Sequence, residues 1–95
     1  MNKYELAVIL KSNLDEEAQK SEFEKIQALI TRFGGTIDKV DEWGRRRLAY
    51  EINKLSDGVY SFITFTSDGN APAEIESRIR IMENVLRFLI IRQEA

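Results

Sequence analysis

The sequence predicts an α+β domain whose elements run in the order β-α-β-β-α-β, and three observations carry that expectation. Two stretches, one from Asp15 to Phe33 and one after Pro72, repeat apolar residues at helical spacing, and alternating apolar stretches lie before, between and after them. Turn-forming residues punctuate the order at Gly34-Gly35, Asp57-Gly58 and Ser67-Asp68-Gly69-Asn70. The length, 95 residues, suits one hydrophobic core and is too small for two, so residues 1–95 are expected to form a single domain.

Taken in order, Tyr4 to Leu10 reads as the first strand, with Tyr4, Leu6, Val8 and Leu10 on one face and Glu5, Ala7 and Ile9 on the other. Apolar residues on both faces point to a central position. Asn13, three residues before Glu16, together with the acids Asp15, Glu16 and Glu17, reads as a capped helix start. Phe23, Ile26, Ile30 and Phe33 form the buried stripe of that helix, which Gly34-Gly35 ends. The second strand begins at Thr36, and the opposite parity of Ile37 and Val40 predicts a bulge or bend before Trp43-Gly44. It resumes through Ile52, with Leu48, Tyr50 and Ile52 sharing one face as a core strand would.

Residues Asn53 to Gly58 are expected to close a hairpin, with Asp57-Gly58 as its turn. The third strand, Val59 to Thr66, sets Val59, Ile63 and Phe65 against Tyr60, Phe62 and Thr64. Pro72 suits the first turn of a second helix that buries Ile75, Ile79 and Met82 and stops at Glu83-Asn84, and Val85 to Arg92 is the fourth strand. The usual solution for this order is a ferredoxin-like sandwich, a four-stranded antiparallel sheet with both helices on one face. Leu6, Val8, Leu10, Ile63, Phe65, Phe88 and Ile90 then face the helices. Ala7, Ile9, Tyr60, Phe62, Leu89 and Ile91 are left on an open face too apolar to be given wholly to water.

Composition narrows the chemistry. With neither cysteine nor histidine, the chain lacks thiolate and imidazole ligands for a metal cofactor, a cysteine nucleophile and the commonest general base, so catalysis starts at a disadvantage and no cofactor is expected. The start at Met1-Asn2-Lys3-Tyr4 shows no apolar signal region, and no apolar run nears the roughly 20 residues of a membrane span. A cytoplasmic protein without a membrane partner is the expectation. A net charge of -2 argues against a general nucleic-acid coat, so any RNA contact must be local.

The local candidate is Gly44 to Ile52, G-R-R-R-L-A-Y-E-I, where Arg45, Arg46 and Arg47 run into a strand. Guanidinium groups held on a strand suit phosphate better than the same charges in a loose tail, although a charged edge against aggregation is the plainer reading. Lys54 extends this surface, and the fourth strand offers Arg87 to the open face. The third strand invites comparison with the RNA-recognition module, since Tyr60, Phe62, Ile63 and Phe65 fit the later positions of its aromatic motif. Gly58 and Val59 miss its opening, and the first strand puts no aromatic on the open face, so Tyr60 and Phe62 read instead as a protein-docking surface. An acylphosphatase of the same topology would need glycines and an arginine in the loop Lys11-Ser12-Asn13-Leu14, which has neither. A small-molecule regulatory or dimerisation domain of this fold is the alternative, and no residue pattern marks a pocket for one.

The motif of glycine, any residue, a basic residue, a polar residue and Leu-Ala-Tyr-x-Ile, filled by Gly44, Arg46, Arg47, Leu48, Ala49, Tyr50 and Ile52, resembles the signature of the bacterial small-subunit ribosomal protein S-six family. The resemblance extends to Lys3-Tyr4-Glu5, Asn13-Leu14-Asp15, Lys54, Gly58 and Arg80-Ile81-x-x-Asn84-Val85-x-Arg87. It implies a non-catalytic ferredoxin-like protein that binds the central domain of small-subunit ribosomal RNA as a pair with ribosomal protein S-eighteen, with no small-molecule substrate. Carried over to this chain, the RNA contacts fall on Lys3, Arg46, Arg47, Lys54, Arg80, Arg87 and Arg92, while Arg45 fills a variable position. The partner surface would be Ile9, Tyr60, Phe62, Leu89 and Ile91.

Overall fold

The computed structural model describes residues 1–52 and 55–93. The elements are β1 (Asn2–Lys11), α1 (Glu16–Arg32), β2 (Thr36–Ile52), β3 (Leu55–Ser67), α2 (Ala71–Ile79) and β4 (Val85–Gln93), the expected order. One antiparallel sheet takes the strand order β2-β3-β1-β4, so β1 is hydrogen-bonded on both sides. No helix among the described residues is long and apolar enough to cross a membrane.

Pairing sets the two faces row by row, because directly opposed residues in an antiparallel sheet point the same way. Rows built on Tyr4, Leu6, Val8 and Leu10 bring Phe65, Ile63, Ser61 and Val59 beneath the helices. Ile26, Ile30, Ile75 and Ile79 meet them with no exposed surface. Burying one such side chain stabilises by roughly 1.5–3 kcal/mol. The short α2 depends on this packing, since a helix of 9 residues is marginal by itself. Phe33, Met82, Phe88 and Ile90 close the rim of the core.

Two local expectations change. The cap of α1 is Asp15 rather than Asn13: its Oδ1 accepts the Ala18 N–H at 2.7 Å, satisfying one of the helix's orphan donors. At its other end, α2 stops at Ile79 with Arg80 as C-cap, so Met82 reaches the core from the following turn and not from the helix.

A larger change concerns β2 and β3. Asp57 and Gly58 do not turn; they pair with Arg47 and Arg46 inside the sheet, and pairing continues to Ile52 opposite Leu55. β1 ends earlier, with Lys11 opposite Gly58, so the rest of β2 and β3 projects as a two-stranded ribbon. The bulge foreseen before Trp43-Gly44 is present, with shifts at Ile37/Lys39 and Glu42/Gly44, and Gly44 takes a φ of 77°, a backbone state that favours glycine.

Nor does the ribbon enter the helix-covered core. Leu48, Tyr50 and Ile52 line a depression with Ile9, Tyr60 and Arg87, all residues of the open face. Leu48, Tyr50 and Ile52 share one face as expected, but not as part of a core strand: the ribbon runs past the end of β1, and a further register shift after Arg47 accompanies its return over the sheet. Gly58 makes this close approach possible, since a Cβ there would lie 2.4 Å from Ile9 Cγ2 and 3.3 Å from Leu48 Cδ2. Gly58→Ala is therefore expected to destabilise the fold by about 1–3 kcal/mol, the usual cost of overpacking. Urea unfolding checks this, and an unchanged midpoint would show that the ribbon does not rest on Ile9.

Candidate nucleic-acid and partner interface

The open face is laid out in rows. One crosses Arg87, Ile9, Tyr60 and Gly44; the next crosses Leu89, Ala7, Phe62 and Asp41; a third crosses Ile91, Glu5, Thr64 and Lys39. The five residues expected to dock a partner, Ile9, Tyr60, Phe62, Leu89 and Ile91, thus lie together on one surface. Leu89 is 57% exposed and Ile91 49% exposed, which is costly for aliphatic side chains left in water. A depression of about 380 Å³, lined by Ala7, Ile9, Tyr60, Phe62, Arg87, Phe88 and Leu89, runs through the middle of the face.

β2 contributes two aromatic residues that sequence reasoning did not place here, Trp43 within the sheet and Tyr50 on the ribbon. Trp43, 49% exposed, packs tilted against Phe62 with ring centroids 4.7 Å apart, and its Nε1 donates to Asp41 Oδ2 at 3.2 Å. Tyr50, 55% exposed, lies across the depression shared with Ile9 and Tyr60. Each carries an arginine over its ring. Arg46 Cζ sits 5.9 Å from the Trp43 centroid and Arg87 Cζ 5.0 Å from the Tyr50 centroid, within cation–π range. Trp43 was legible only as a bend because the bulge beside it breaks the alternation that would have assigned its face.

Strand alternation divides the arginine cluster. Arg46, opposite Gly58, faces the open side, whereas Arg45 and Arg47, opposite Val59 and Asp57, face the other side of the ribbon. Arg45 donates from Nη2 to the Ser12 carbonyl at 2.9 Å, tethering the ribbon to the loop after β1. Its local task is therefore structural.

The remaining expected RNA contacts do not form one patch. Lys3 is on the open face but roughly 20 Å along β1 from Ile9. Arg92 lies in the Tyr4 row on the helix side and donates to Asn2 Oδ1 at 3.0 Å. Arg80 is also in the helix layer, paired with Glu76 one turn earlier. Lys54 lies outside the described residues. What the fold places on the open face is Arg46 on β2 and Arg87 on β4, each beside an exposed aromatic ring, with Arg87 also lining the apolar depression.

Comparison with known proteins bears on the fold and the family. The family model described as Ribosomal protein S6 matches residues 3–92. The chain is 47% identical over 94 residues to the small ribosomal subunit protein bS6 of Clostridium botulinum strain Hall, covering 99% of this chain and 100% of that protein. The bS6 protein of Alkaliphilus oremlandii is likewise 47% identical, with 99% of each chain covered. Among solved structures, the crystal structure of 30S ribosomal protein S6 from Thermotoga maritima superposes with a TM-score of 0.93 at 34% identity, covering 97% of this chain and 87% of that one.

Proposed function

From the premise that the chain belongs to the ribosomal protein S6 family and is a structural component of the small ribosomal subunit, cytoplasmic in bacteria, we propose that it binds the central domain of small-subunit ribosomal RNA jointly with ribosomal protein S-eighteen. The observation that supports this most is the mixed open face, where Arg46 and Arg87 border exposed Tyr50, Trp43, Leu89 and Ile91. Phosphates are held by the arginine ribbon, and the apolar rows through Ile9, Tyr60, Phe62, Leu89 and Ile91 dock the protein partner. A catalytic role has no part in this reading.

The division of labour follows from charge. At a net charge of -2 the protein gains little from long-range attraction to RNA, so its affinity comes from a few well-placed guanidinium groups and from a basic partner that shares the site. Arg47, on the ribbon's other side, lets one projecting element touch phosphates from two directions. Lys3, Arg80 and Arg92 serve as outlying contacts, each to a separate part of the RNA, and Lys54, outside the described residues, is a further RNA contact.

Replacing Arg46 and Arg47 together by alanine should weaken assembly with the RNA and S-eighteen while leaving urea unfolding within about 0.5 kcal/mol of wild type. The dependence of log K on log salt should flatten by roughly one unit for each phosphate that is no longer neutralised. Filter binding across a salt series reads both quantities, and unchanged assembly at physiological salt would remove the arginines from the site. Phe62→Glu tests the partner surface: a carboxylate in the centre of an apolar contact should cost about 2 kcal/mol or more of affinity for S-eighteen in calorimetry. Normal pairing would move that interface to a strand edge.

A further inference from the structure

The Tyr50 ring has an environment that phosphate binding does not explain. More than half its surface is open, yet the ring is held in place: Arg87 lies over it at 5.0 Å, and Leu48, Ile52, Ile9 and Tyr60 surround it in a depression of about 140 Å³. No carboxylate lines that depression among the described residues; Glu5 and Asp41 line a separate one nearer the other end of the face. An exposed phenol ring under a guanidinium, in a depression that no carboxylate lines among the described residues, is a surface on which another flat π-system gains both stacking and cation–π energy.

We propose that Tyr50 and Arg87 form a stacking platform for one unpaired base of the bound RNA. This rests on the RNA-binding reading above and deepens it by assigning a contact to a base rather than to a phosphate. Charge selects the occupant. A strand whose phosphates follow Arg46 on the same face carries its bases toward the ribbon's apolar stripe, and Arg87 offers a second cation to that strand. An apolar protein segment would find its better surface further along, at Phe62, Leu89 and Ile91, where exposed aliphatic side chains predominate. The platform differs from that of RNA-recognition modules, because the ring comes from the second strand and folds over the sheet from its end.

The test measures binding of the full chain to a central-domain ribosomal RNA fragment in the presence of S-eighteen, for wild type, Tyr50→Phe, Tyr50→Leu and Tyr50→Ala. Tyr50→Phe keeps the ring and should bind as wild type. Tyr50→Leu fills the depression without a π face, so a folded variant remains if Tyr50→Ala is unstable. Both non-aromatic variants should lose roughly tenfold or more in RNA affinity, as expected for one stacked base, with the salt dependence unchanged. Affinity for S-eighteen without RNA is measured alongside and should not change. Wild-type affinity in Tyr50→Leu overturns the platform alone and leaves the RNA-binding reading intact. Loss of S-eighteen affinity in that variant assigns the ring to the protein partner and also overturns the platform. Failure of the wild-type protein to bind the RNA fragment under any of these conditions overturns both.

Discussion

The constraint on which the rest depends is that β1 is apolar on both faces and paired on both edges, while the chain has helices enough to cover only one side. Tyr4, Leu6, Val8 and Leu10 are satisfied by the core beneath α1 and α2. Ala7 and Ile9 look the other way, and β3 and β4 add Tyr60, Phe62, Leu89 and Ile91 around them. An apolar sheet face of this extent in a domain of 95 residues is a standing free-energy debt unless another molecule covers it. The fold thus produces a binding surface as a by-product of its layer count.

The β2–β3 ribbon converts that surface from generic to specific. Because β1 stops at the pair Lys11–Gly58, the two longer strands project past the sheet from Arg47 onward, with Arg45 and Arg46 at the base of the projection. Arg45 holds the base of the ribbon through the Ser12 carbonyl, and Leu48 seats its inner side near Ile9 in the space that Gly58 leaves. A pair of strands anchored in this way presents charge at a defined distance from the apolar rows. On the proposed reading, RNA and a protein partner then meet on one face.

Much of this was legible from residue pattern. Period-two and period-3.6 signals placed all six elements and sorted the helix-facing rows, because both depend on local geometry that burial reinforces. The failures share a cause. Alternation in Leu48, Tyr50 and Ile52 reports which residues share a side, but the side itself depends on where neighbouring strands end, and that is a property of pairing. Asp57-Gly58 carried a turn signal that long-range pairing with Arg47 and Arg46 overrode, and the space a Gly58 Cβ would fill is already taken by Ile9. Three adjacent arginines read as one cluster until strand geometry sent Arg46 one way and its neighbours the other. The family resemblance identified basic positions, yet Arg80 and Arg92 lie in or toward the helix layer, apart from Arg46 and Arg87.

The central claim is that one face of the sheet, with its ribbon, meets both RNA and protein. Amide hydrogen exchange of the chain, free and in the complex with S-eighteen and the central-domain RNA fragment, tests it most directly. Protection should appear along Arg45 to Tyr50, at Tyr60 to Phe62 and at Arg87 to Ile91, with α1 unchanged. Protection concentrated on α1 and α2, with the ribbon exchanging as in the free protein, would contradict the account.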